Sequence, residues 1–224
     1  DALKLDNPGI FYIDFSKVYL NTYSVTEGER ITYTVYIDKG NNQNYYIDSF
    51  SSEKEVDRAI KQIEEIRYMI VKAIPENSSN FEKSMFVHDW LVDNLKYDET
   101  LKKDNRSNVY GALMERDVTC QGYAKAFKYI LDVLSVPCIL VKGDATNSEN
   151  VTEKHVWNYV MINDKWYAID VTWDDPIIIG DGTITKEIKY KNFCKGKEFL
   201  INHEENGLIE GTNRFFKYPI LADE

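Results

Sequence analysis

Asn163-Asp164 lies between two apolar runs, His155–Ile162 and Trp166–Val171, and this junction constrains the fold more than any other stretch. Asn and Asp tolerate the left-handed backbone that a two-residue hairpin turn needs, so the runs read as antiparallel strands. With both residues at the turn centre, Ile162 faces Lys165 and Trp157 faces Asp170. His155 and Asp170 are then diagonal neighbours on one face, with β-carbons roughly 7 Å apart, within side-chain reach. A loop one residue longer or shorter would put them on opposite faces.

Helical signals precede this hairpin. Ser52 with Glu55, and Ser79 with Glu82, have capping-box spacing. Val56, Ile60, Ile63, Ile70 and Ile74 keep to one face of the first helix, which Pro75 stops. Met85, His88, Leu91 and Leu95 point inward from the second. Polar residues 98–109 read as a loop. A third helix is predicted over about Thr119–Leu134, ended by Pro137. Cys138–Val141 reads as a short strand and Asp144–Lys154 as a loop. Upstream, Ile10–Tyr19 and Ile31–Ile37 alternate as strands, with turns at Gly28 and Gly40–Asn44. Tyr190–Ile201 and Phe215–Ile220 read as strands in the tail. Strands, then helices, then strands make an α+β fold. Residues 1–50 are expected to be a strand-rich N-terminal segment and 51–224 a catalytic domain.

Cys120 stands where the third helix begins. The unpaired N–H groups and positive dipole end of a first turn favour a thiolate and could hold an oxyanion. A thiol nucleophile needs a base, and the base needs a carboxylate to orient it and stabilise its cation. His155 and Asp170 supply that pair, and an acid inside the apolar run 166–171 needs a partner. Gln121 and Tyr110 could donate to the oxyanion. Trp157 and Trp173 could wall an acyl tunnel or cover the core. His88 reads as a satisfied core histidine, and Cys138 as inert.

The quoted residues carry a resemblance. Tyr-Gly-Ala-Leu (110–113), Val-Thr-Cys-Gln-Gly-Tyr-Ala (118–124), His-Val-Trp-Asn (155–158) and Trp-Tyr-Ala-Ile-Asp-Val-Thr-Trp-Asp-Asp-Pro (166–176) resemble the bacterial branch of the transglutaminase-like superfamily. His-Asp-Trp-Leu (88–91) and Tyr97-Asp98 extend the likeness over about 81–176. Val156 departs from the usual Ala and suits a strand equally. The resemblance implies a papain-like α+β core, with Cys120 as nucleophile, His155 as base and Asp170 as orienter. It implies thiol-dependent acyl transfer on a protein or peptide substrate through a thioester. Glutamine as donor and an amine as acceptor would give cross-linking, water would give deamidation, and a backbone amide as donor would give proteolysis. A non-catalytic binding module on the same fold is the rival from another class.

Composition excludes some partners. A net charge of −10 argues against binding a phosphate backbone, so no nucleic acid is expected. No run of 18 apolar residues occurs, so no membrane-spanning helix is expected. The 16 tyrosines suggest half-exposed strands packed on a neighbour, or a polysaccharide-binding face. Cys120, Cys138 and Cys194 have neither disulfide nor zinc spacing, and Cys194 and His203 look too isolated for a metal site. Asp174, Asp175 and Asp181 lack a calcium loop. No metal and no cofactor are expected. The chain opens on Asp1, which leaves room for a removed leader. That leans towards an extracytoplasmic or cell-surface setting, with the cytoplasm still open.

Overall fold

The computed structural model describes residues 2–177, 182–209 and 211–223; Asp181 lies outside them. A short helix α1 (Ala2–Asp6) leads into two 3-10 turns, Pro8–Ile10 and Phe15–Lys17. The expected strand Ile10–Tyr19 is therefore a correction. Pro8 starts the first turn, and Asp14 starts the second by accepting the Ser16 N–H through its side chain, so local turn chemistry overrides alternation. A long hairpin follows, β1 (Tyr19–Glu27) and β2 (Arg30–Asp38), turning at Gly28 with φ of +63°. Its residues are exposed on both faces, including Tyr23, Tyr33 and Tyr36, so these tyrosines cover no core.

The helices start where the serines put them. Ser52 caps α2 (Glu53–Lys72) through Glu55 N–H, although the Glu55 carboxylate turns back to Ser51 rather than Ser52. Ser79 and Glu82 form the full reciprocal box at α3 (Asn80–Asn94). Val56, Ile63 and Ile70 of α2 and Val87, His88 and Leu91 of α3 are buried, so the apolar stripes face one core. β3 (Lys96–Tyr97) pairs in parallel with β4 (Asp117–Val118). Between them Gly111–Glu115 forms a π turn that nothing in the periodicity signals; it closes on Arg116 at φ of 63°.

α4 (Cys120–Val133) is the central helix, and ten of its residues are buried. Gly122 is required there by close approach: a Cβ would sit 2.5 Å from Val118 Cβ and 2.7 Å from the Arg106 carbonyl oxygen. The bare position lets the loop before β4 close over the helix start, where Thr119 N–H donates to Arg106 O at 2.9 Å.

The main sheet has the order β7-β6-β5-β8, from β5 (Cys138–Thr146), β6 (Thr152–Ile162), β7 (Lys165–Ile169) and β8 (His203–Glu205). Asn163 and Asp164 have φ of 50° and 60°, and Ile162 pairs with Lys165, the predicted register. Two expectations need correction. β5 and β6 extend through the supposed loop 144–154, leaving 147–151 as the connection, because polar strands bridge by Thr146–Thr152 and Lys154–Asp144 contacts. Residues 190–201 end in a 3-10 helix (Lys197–Ile201), and 215–220 make one isolated bridge at Phe215, so neither is a strand.

A buried strut ties α3 to the segment after β7. His88 Nε2 lies 3.1 Å from Asp174 Oδ2, with both side chains fully buried. Asp174 Oδ1 accepts from Asn192 N–H at 2.7 Å and from its side-chain amide at 3.0 Å. His88 is thus the satisfied core histidine the sequence suggested. His88→Ala should lower stability by about 3 kcal/mol or more, since it strands a buried carboxylate and leaves a cavity. Denaturant midpoints would check this; a loss below roughly 1 kcal/mol would contradict it.

Candidate active site

The hairpin does what its register implies. His155 Nε2 lies 2.7 Å from Asp170 Oδ2, and the two residues are 5% and 1% exposed. Asp170 Oδ1 accepts the backbone N–H groups of Thr172 and Trp173 at 3.1 and 3.2 Å. Its own N–H donates to Asn192 O at 3.0 Å, which fixes the chain just beyond β7. The carboxylate is therefore held through Oδ1, which leaves Oδ2 to the imidazole.

Cys120 is the first residue of α4, with Thr119 at the cap making no side-chain capping bond. Cys120 is half-buried and packs with Ala124, Leu140 and Val156 at the helix start. Its thiol bears on the His155 imidazole through polar and charge interactions. No hydrogen bond of ordinary length and angle joins the two among the described residues; catalytic hydrogen bonds often tighten only once substrate is bound.

Burial pulls the His155 imidazole down, but the charge and hydrogen bond of Asp170, reinforced by Cys120, lift it to about 10. Burial pushes Asp170 up, yet His155 and His203 outweigh it and hold the carboxyl well below its ordinary range. Both directions describe an imidazolium–carboxylate pair at neutral pH. Burial raises the Cys138 thiol far above the usual range, and raises the Cys194 thiol to about 11.

Other predicted site residues fall elsewhere. Gln121 turns towards the N-terminal segment, where Lys125 Nζ approaches its side-chain oxygen at 3.5 Å. The next position on a helix is rotated by about 100°, which carries it away from the cleft. Tyr110 stacks on Phe11 at 5.9 Å and meets Phe50 edge-on. Neither lines the cavity that holds His155. Trp157 is 1% exposed in a second apolar cluster with Val141, Tyr159 and Phe199, stacked near His155 at 6.1 Å. It covers the core under the base and does not line the cleft; Trp173 does.

That cleft is a cavity of about 710 Å3, with Tyr97, Glu153, His155, Trp173 and Asp175 in its wall. Pairing of Tyr97 with Val118 places the phenol near the helix start. Burial, and then the charge of Cys120, raise that phenol to about 12. Burial lifts Asp175 to about 6, despite the hydrogen bond it accepts from Tyr123.

The sequence reading missed His203. Its Nε2 lies 3.3 Å from Asp170 Oδ2, the oxygen that His155 contacts. Scarcity was the available signal, because the chain has three histidines and each meets an aspartate. Donor atoms of His155, Asp170 and His203 lie within 4.8 Å of one another, a set a transition metal could use. Both imidazoles already face the carboxylate, so hydrogen bonding satisfies the cluster without a cation. No helix among the described residues is long and apolar enough to cross a membrane.

Thiol reactivity should follow this geometry. Iodoacetamide at pH 7 should label Cys120 at least about tenfold faster than Cys138 or Cys194, since only thiolates react and burial disfavours them at the latter two. Peptide mapping after partial labelling reads the order. Earlier labelling of Cys138 in folded protein would remove Cys120 as nucleophile.

Parts of the chain are similar to known proteins. Residues 68–171 match the model of the transglutaminase-like superfamily. Kyphoscoliosis peptidase of Mus musculus is 21% identical over 145 residues, covering 60% of this chain and 21% of that protein. Its Homo sapiens counterpart is 20% identical over 132 residues, covering 54% and 20%. The chain therefore spans about a fifth of the length of these curated relatives. A crystal structure described as a TGase aligns with a TM-score of 0.46 at 14% identity, covering 80% of this chain and 51% of that one. A structure described as a candidate cysteine protease from Cytophaga hutchinsonii aligns at 0.42 and 13%, covering 69% and 62%. The segment similar to the transglutaminase-like superfamily, 68–171, holds Cys120, His155 and Asp170.

Proposed function

We propose that the protein catalyses acyl transfer through Cys120, His155 and Asp170, with protein glutamine as the acyl donor. The observation that carries this reading is the buried 2.7 Å His155–Asp170 contact beside a cysteine that opens a helix. In the first step the Cys120 sulfur attacks the glutamine carboxamide carbon. The C–N bond breaks, and the His155 imidazolium gives its proton to the departing ammonia. Free N–H groups at the start of α4 face the developing oxyanion. A thioester remains on Cys120. A primary amine then gives a proton to His155, attacks the thioester carbon and expels the thiolate. Glu153 and Asp175 in the cavity wall give a lysine acceptor two carboxylates to approach, with Lys191 opposing them.

Peptide cleavage on the same three residues is the second reading, favoured by the peptidase names of the curated relatives. A mixed peptide library incubated with a primary amine and followed by mass spectrometry separates the two. Amine gained at glutamine supports cross-linking, a one-dalton gain supports deamidation, and new termini support the peptidase. Folded protein giving none of these would leave the binding module.

A further inference from the structure

We propose that His203 is a positioning residue of this site, a second imidazole that shares the Asp170 carboxylate with the base. The inference rests on the triad reading above and deepens it. Asp170 Oδ2 faces His155 Nε2 at 2.7 Å and His203 Nε2 at 3.3 Å, while Oδ1 takes two backbone N–H groups. Four donors thus fix the carboxylate plane. His203 is 1% exposed, and its ring is clamped: it stacks on Phe199 at 3.8 Å between centroids and meets Trp173 at 4.6 Å and Trp157 at 5.0 Å.

The fold delivers this ring deliberately. His203 opens β8, which pairs with β5 through Ala145. The neighbouring Gly143 is bare because a Cβ would sit 2.0 Å from the Glu204 carbonyl oxygen and 2.6 Å from the Trp157 ring. A larger residue there would push β8, and His203 with it, off the site.

His203 Nδ1 lies 2.9 Å from the Asn202 side-chain amide. Turning that amide so that its NH2 rather than its oxygen meets Nδ1 leaves the ring proton on Nε2, where it donates to Asp170. A second donor on Oδ2 draws off part of the carboxylate charge. That lowers the proton affinity of the His155–Asp170 pair and keeps the imidazolium acidic enough to protonate a leaving group. The groups bearing on His155 are Cys120 from α4, Asp170 beyond β7 and His203 from β8, with Tyr97 and Glu153 across the cavity.

The sign follows. Removing the His203 donor strengthens the hold of Asp170 on the His155 proton, so the imidazolium should titrate at higher pH. The experiment is histidine side-chain 15N NMR on the full chain, comparing wild type with His203→Phe and His203→Gln. Phe keeps the aromatic stack but removes the donor, and Gln restores an N–H near the same oxygen. We expect the His155 titration to rise by about 0.5–1 pH unit in His203→Phe. It should return most of the way in His203→Gln, and the pH profile of Cys120 alkylation should move with it.

An unchanged His155 titration in folded His203→Phe would overturn the proposal. So would wild-type His203 with its proton on Nδ1 alone, a result readable even where the variants do not fold. Failure of the triad reading is separate: Cys120 would then not lead the alkylation order, whatever proton His203 carries.

Discussion

Cys120→Ala should lose turnover by on the order of 10⁶, or to the background rate, while the protein stays folded. In the proposed mechanism the thiol sulfur is the atom that becomes acylated, and alanine offers no substitute nucleophile. Without it, the helix start and cavity can still bind and polarise a substrate, so weak binding should survive. The fold should survive as well. Cys120 is half-buried against a small group of Ala124, Leu140 and Val156, so losing one sulfur should cost about 1 kcal/mol or less. Circular dichroism and a denaturant midpoint close to wild type would show this. Turnover within tenfold of wild type in the variant would assign the chemistry to another residue.

Asp170→Asn should lower turnover by on the order of 10² to 10³. The amide keeps the shape and can still meet one N–H, but it cannot offset the imidazolium charge or select the tautomer that faces sulfur. In serine-protease triads the comparable change costs roughly 10⁴. The smaller loss expected here reflects the chemistry of sulfur, which is intrinsically more nucleophilic than a serine hydroxyl and leans less on the base and its orienter. Asp170 lifts His155 to about 10, so the variant should also lose its imidazolium at lower pH.

Linkage gives the sign for stability. A raised folded-state value stabilises fully below the ordinary histidine value near 6.5, and that contribution fades as pH rises through about 10. The depressed Asp170 value contributes above the ordinary carboxyl range and fades as pH falls below it. Asp170→Asn should flatten both limbs of a stability–pH curve. Wild-type turnover in a folded Asp170→Asn protein would leave only a Cys120–His155 dyad.

Much of the site was legible because short-range rules fixed it. Two residues with left-handed backbone set the register of β6 and β7, and the register alone set His155 beside Asp170. The Ser79 cap and Pro75 bounded helices from within a few residues. What escaped depends on contacts far apart in sequence. His203 reaches Asp170 across 33 residues with no periodic signal between them. Gln121 sits next to Cys120 in sequence but one helical step round the axis, and it lines the cavity under the N-terminal segment. Residues 10–19 alternate like a strand, yet Pro8 and Asp14 impose turns that alternation cannot report. Polar residues 144–154 read as loop because the ends of β5 and β6 beyond the reach of β7 are half-solvated, and pairing rather than burial holds them.

The most direct measurement is to find where an acyl group lands. The protein is mixed with an activated acyl ester, quenched in acid during the first turnover and digested for peptide mapping by mass spectrometry. The account predicts one acyl group per chain, on the peptide carrying Cys120, removable by hydroxylamine as a thioester is, and absent in Cys120→Ala. Acylation of Cys138, Cys194 or a non-thiol side chain, undiminished in Cys120→Ala, would contradict it.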